Sequence, residues 1–155
     1  MTNMKQITIK VAWNNSAFEG LVSSETSYGE MKIITKDFND IIDMGEAELK
    51  IGFDGYTEFG LELPEWYKNK EYEFVYKFQD VTAMLKAYSS YVSLAAISRE
   101  TGINSALLSH YANGLKVPRN KQQKIIVSGL HRIGALLSKC TIDDERKTQL
   151  NIERK

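Results

Sequence analysis

The ten residues "EYEFVYKFQD", Glu71 to Asp80, most constrain how this chain can fold, because the period of its apolar residues changes across them. Tyr72, Phe74, Tyr76 and Phe78 alternate with Glu71, Glu73, Val75 and Lys77, the two-residue period of a strand with one buried face. From Val81 the apolar residues recur at helical spacing instead: Val81, Met84, Leu85 and Tyr88 make one stripe, behind an Asp80 that suits an N-cap. A chain that changes period in this way reads as a sheet-containing unit followed by a helical one. The predicted fold class is α+β, with a small β-β-β-α-β unit over residues 1–79, an all-α helix-turn-helix unit over 80–140 and a charged tail over 141–155. An aromatic stripe on a strand can stack nucleic-acid bases, but packing under a helix as core is the commoner use and is expected here.

Upstream, "ITIKVAW" places Ile7, Ile9, Val11 and Trp13 at every second position with Thr8 and Lys10 between, and "FEGLV" and "MKIIT" read as second and third strands. The turn at Asn14 to Ser16 and the connection "SSETSYGE" join them into an antiparallel meander. Phe38, Ile41, Ile42, Gly45 and Leu49 then share a helical face behind Asp37, which predicts a helix over 38–51 with Asp37 as its N-cap. Gly45 inside it costs about 1 kcal/mol relative to Ala. "FDGYTEFGLELPEW", with its Asp-Gly, second Gly and Pro, is expected to be a turn and irregular connection.

Downstream, Ser93 caps a segment carrying Leu94, Ile97 and small alanines, a third helix runs from Ser105 to about Asn113, and a fourth carries Ile126, Leu130, Ile133 and Leu137 at one-face spacing. His131 is expected at the edge of the core under that last helix. Between the second and third segments, Gly102 stands where a left-handed C-cap is needed, Ile103 packs inward and Asn104 is the next N-cap. Helix, tight turn, helix is the geometry that lets the second helix enter the roughly 12 Å major groove of DNA. Leu107, Leu108 and Tyr111 anchor that helix, leaving Ser105, Ala106, Ser109, His110 and Asn113 outward with Asn104 at its start. The following "LKVPRNKQQK" supplies Lys116, Arg119, Asn120 and Lys121, with Lys124 beyond, for phosphate contact at the amino end of the fourth helix. No arginine lies on the outward face, so bidentate guanine readout is not written there.

The chain's 20 basic and 20 acidic residues cancel, but not locally. Residues 81–155 hold 12 Lys and Arg against 5 Asp and Glu, which leaves 8 against 15 before them. A basic second half suits a polyanion and an acidic first half suits a basic partner. One cysteine and two histidines predict neither an internal disulfide nor a structural zinc site. The start has no apolar leader and no window approaches a membrane span, so a cytoplasmic protein without cofactor is expected. Catalytic signatures are missing too: no Gly-rich phosphate loop, no Cys-His or Ser-His-Asp ordering and no HExxH. Asp37, Asp40 and Asp43 lie three apart, but the first turn of a helix favours carboxylates without any metal.

The run from Glu71 to Leu137, above all "TGINSALLSHYANGLKVP" and "LHRIGALL", resembles the carboxy-terminal half of HicB-type antitoxins, in the variety where an aromatic strand leads into a lambda-repressor-like helix-turn-helix. The N-terminal part is similar in element order to that family's α+β unit, a reduced ribonuclease H-like fold. It departs where many members carry a "PDLPGC"-like segment, since this chain reads "SYGEMKIITKDF" there. The resemblance implies a type II toxin-antitoxin component that covers a small basic HicA-type mRNA-cleaving toxin through its N-terminal domain. It also implies operator binding as a dimer or higher homo-oligomer, to repress its own operon. The competing expectation is a helix-turn-helix regulator with no toxin partner, whose N-terminal domain serves dimerisation or ligand sensing.

Overall fold

A computed structural model describes residues 4–22 and 31–144 of the chain. The connection "SSETSYGE" and the tail from residue 145 onward lie outside the described residues. Strands β1 (Lys5–Asn14), β2 (Ala17–Val22) and β3 (Met31–Thr35) form an antiparallel meander, and β4 (Tyr72–Phe78) returns parallel to β1, giving the order β3-β2-β1-β4. The β1–β2 turn is tight because Asn15 and Ser16 both take positive φ, 51° and 62°, the pair of left-handed residues whose twist matches two flanking strands. The fold is α+β: this mixed sheet with one crossover helix, then a helical region.

The crossover begins as a 3₁₀ turn, Phe38–Asp40, capped by the Asp37 carboxylate, which accepts from the Asn39 N–H at 2.9 Å. Helix α1 (Ile41–Glu58) continues from it and lies on the sheet through Ile41, Gly45, Leu49 and Phe53. Two expectations need correction. The helix runs on through Gly52 and Gly55, seven residues past its expected end, because Phe53 is buried and stacks against Tyr56, Trp66 and Tyr67, so packing outweighs the two glycines. Ile42, placed on the core face by its spacing, is 49% exposed: one residue on from Ile41 it is turned about 100° around the helix, and it is Ile41 that takes the sheet face. Gly45 is not merely tolerated: a Cβ there would stand 3.2 Å from the Phe74 ring, so the missing side chain is what lets α1 approach β4.

After a single turn of helix, α2 (Glu65–Lys68), the stripe of β4 packs under α1 as expected, with Phe38 meeting Tyr76 edge-on at 5.1 Å. Tyr72 donates to the Glu46 carboxylate. Burial pushes the Tyr76 hydroxyl up to about 12, reinforced by nearby Tyr88 and Tyr91, and raises Tyr88 as well.

Helices α3 (Val81–Tyr88), α4 (Leu94–Thr101), α5 (Ser105–Ala112) and α6 (Asn120–Leu137) enclose a second cluster built on Leu85, Ile97, Leu108 and Ile126, each nearly or wholly buried. Helix α3 belongs to both cores. Its Ala87 joins the sheet cluster while Val81, Met84 and Leu85 join the helical one, and Phe78 and Tyr88 touch both. Lys86 adds a cation over the Trp13 ring, 5.0 Å from its centroid, and Tyr91 donates to Asn39 of the 3₁₀ turn.

Candidate nucleic-acid interface

Each helix start in this half carries the cap its sequence implied, down to α5. Asp80 accepts from Ala83 N–H at 2.8 Å, Ser93 from Ala96 N–H at 3.0 Å and Asn104 from Ala106 N–H at 2.7 Å. Between α4 and α5 the chain turns on Gly102, whose φ of +76° is left-handed and whose N–H bonds the Ser98 carbonyl. Ile103 is buried directly after it. The Thr101 hydroxyl donates to Ile97 O at 2.7 Å and accepts from Ile103 N–H at 3.2 Å, so the turn is fixed on both sides.

Helix α5 sits on the core through Leu108 and Tyr111, with Leu107 half-buried beside them. Its far end is held by Thr82, whose hydroxyl donates to the Tyr111 carbonyl at 2.6 Å. Asn104, Ser105, Ala106 and Asn113 are exposed, as expected. Ser109 and His110 are half-exposed, partly covered by their surroundings. Asn113 leans on Ser109, its amide donating to Oγ at 3.4 Å, and the His110 backbone is roofed by Leu115, whose N–H bonds the His110 carbonyl at 2.9 Å.

Past Asn113 the loop passes exposed Lys116 and Arg119 and buried Pro118, whose carbonyl accepts from Gln123 Nε2 at 3.3 Å. Arg119 is the N-cap residue of α6 and makes no side-chain cap bond, so the first-turn N–H groups, with exposed Asn120 and Lys121, face outward without an internal acceptor. Backbone donors, a helix dipole and four nearby cations or amides give this edge beside α5 the chemistry to hold an anion.

Three features had no signal in residue spacing. Thr82 holds α5 across 29 positions, and Arg132 fixes α6 to α4 by donating to the Glu100 carboxylate at 2.6 Å and to its carbonyl at 3.1 Å. Leu115 and Val117, 71% and 83% exposed, place apolar surface on either side of Lys116. His131 is exposed, not at the core edge, because it points away from the face on which its neighbours Leu130 and Ile133 pack; Leu137 of the expected stripe is also exposed, where α6 runs past the core. Among the described residues no group of three or more His, Cys, Asp or Glu side chains is placed to hold a metal, and no helix is long and apolar enough to cross a membrane. No protein-family model, curated protein or solved structure matches the chain.

Proposed function

We propose that this chain is a HicB-type antitoxin that binds operator DNA through α4 and α5. The observation that carries the DNA part is the capped, left-handed turn at Gly102 to Asn104, followed by a helix with a short-side-chain polar face and a cationic, uncapped helix start beside it. In this reading Asn104, Ser105, Ala106, Ser109, His110 and Asn113 approach the groove, and Lys116, Arg119, Asn120 and Lys121 hold phosphates. Affinity comes from the cationic edge; sequence preference comes from Asn113, His110, water-mediated contacts and DNA shape, since the face holds no arginine. Two copies bind paired half-sites about one helical turn, roughly 34 Å, apart.

The antitoxin part is supported by the resemblance and by charge: the half before Val81 holds 15 acidic against 8 basic residues, suited to a small basic toxin. The chain works in the cytoplasm, with no cofactor, and we assign it no catalytic step; the Asp37 carboxylate is occupied in capping. The second reading, a regulator without a toxin, shares the same DNA face. A gel-shift titration on the chain's own promoter at low salt tests the first claim, and absence of any shift refutes it. Co-purification of a short, strongly basic protein encoded next to this gene supports the antitoxin, and a neighbourhood without such a reading frame favours the plain regulator.

A further inference from the structure

We propose that β4 is the seat of a second copy of this chain, pairing antiparallel with its own counterpart about a two-fold axis at Val75. This deepens the two-copy part of the operator reading and rests on it for the need for a dimer; the surface itself is argued from the strand. In the sheet order β4 is terminal, so among the described residues its outer edge has no strand partner. The parallel pairing with β1, including Lys5 N–H to Glu71 O and Gln79 N–H to Val11 O, turns the backbone groups of the odd-numbered residues inward to β1. The N–H and C=O groups of Tyr72, Phe74, Tyr76 and Phe78 therefore line the free edge.

An antiparallel mate centred on Val75 uses those groups and no others. Phe74 then exchanges both hydrogen bonds with Tyr76 of the copy, and Tyr72 with Phe78, while Val75 meets Val75 in a non-hydrogen-bonded pair. The same register sets Glu73 opposite Lys77 twice, once on each side of the axis. Both side chains are exposed, and Lys77 forms no ion pair among the described residues. Moving the axis to Glu73 or to Lys77 would set like charges face to face, so these charges repel such shifts while matching each other about Val75.

A groove of about 450 Å³ lies beside this edge, lined by Tyr76 and Phe78 of β4, Met84 of α3, and Val127, Leu130 and Leu137 of α6. In the Val75-centred register the end of the copy's β4 that carries Tyr72 and Phe74 lies beside this groove, with both rings kept under the copy's own α1. The exposed end of the apolar stripe of α6, Leu137 at 60% exposure, then faces the copy across the groove.

The test is sedimentation equilibrium of the full chain with K77E, E73K and the double variant E73K/K77E, all at exposed positions. Each single change turns two facing pairs from attractive to repulsive and should weaken dimerisation by on the order of tenfold or more; the double variant restores opposite charges and should recover the wild-type constant. As a second readout, V75C in a C140S background, which removes the exposed native thiol, should cross-link on oxidation, since a non-hydrogen-bonded pair brings Cα atoms to about 4.5 Å, within disulfide reach. A wild-type chain that stays monomeric at tens of micromolar overturns the proposal and leaves β4 as an edge for a different protein. Dimerisation insensitive to both single changes, or V75C that does not cross-link, places the interface elsewhere and overturns it equally. Failure here is separable from failure of the DNA reading: K77E should keep wild-type affinity for a single half-site and lose only the gain from two. Wild-type protein that binds no half-site would sink the operator reading while leaving the dimer result standing.

Discussion

In the sheet half, Lys5 bonds Glu71 and Gln79 bonds Val11, pairs brought together only when the whole intervening chain has folded; in the helical half, Asp80 bonds Ala83, Ser93 bonds Ala96 and Asn104 bonds Ala106, within three residues each. The first half is held by register, the second by local caps around a small aliphatic core. Local information survives in the sequence and distant pairing does not. The two are nevertheless joined through α3, Phe78 and Tyr88, which pack into both clusters.

The largest expected effect tests that joining. Ile9→Ala in the sheet core and Leu108→Ala in the helical core each empty a fully buried site and should each cost about 3 kcal/mol in urea unfolding. Because α3 is shared, far-ultraviolet circular dichroism and tryptophan fluorescence should report one coincident transition for each variant. Two separated transitions would break the account of a common element.

Next in size is the crossing of α4 and α6. A Cβ on Gly129 would lie 2.5 Å from Thr101 Cγ2, and Thr101 cannot turn away without losing its bonds to Ile97 and Ile103. Gly129→Ala should cost about 2 kcal/mol, and adding Thr101→Ser, which removes the clashing methyl and keeps the hydroxyl, should recover most of it. A Gly129→Ala protein as stable as wild type would contradict the close crossing.

Smaller still are the caps, at about 1 kcal/mol each. Asp80→Ala and Asn104→Ala should lower thermal stability by similar amounts, and Asn104→Ala should also weaken DNA binding by loosening the start of α5. The tyrosines of the sheet half give a pH signature. With the Tyr76 hydroxyl raised to about 12, the unfolded chain ionises first, so its contribution is intact below about pH 10 and is lost as pH rises from there through about 12. Tyrosinate absorbance in the native state should show several late-titrating groups, since burial also raises Tyr67, Tyr72 and Tyr88, and Tyr76→Phe should reduce their number by one.

How much could be read in advance follows the same division. Asp37, Asp80, Ser93, Gly102 and Asn104 were all legible because a cap and the N–H it serves are neighbours in the chain. The antiparallel meander was legible from alternation and the turn at Asn15 and Ser16, but the parallel seating of β4 on β1 was not, since nothing local encodes which strand lies beside which. The expected end of α1 falls short because Asp54-Gly55, Gly60 and Pro64 read as breakers, while the aromatic packing of Phe53 against Trp66 and Tyr67 depends on a segment more than ten residues away. At the candidate site, the turn and cationic loop were legible; the partial cover of Ser109 and His110, and the ties from Thr82 and Arg132, arise only when helices pack.

The central claim, that α5 and the loop after it form a DNA-binding surface, is tested most directly by the salt dependence of operator affinity, followed by fluorescence anisotropy for wild type, Lys116→Ala and Arg119→Ala. The account predicts a steep loss of affinity with salt and a slope of log K against log salt reduced by about one for each replacement. A chain that binds its own promoter no more tightly at low salt than at high, or whose slope is indifferent to both replacements, would contradict it.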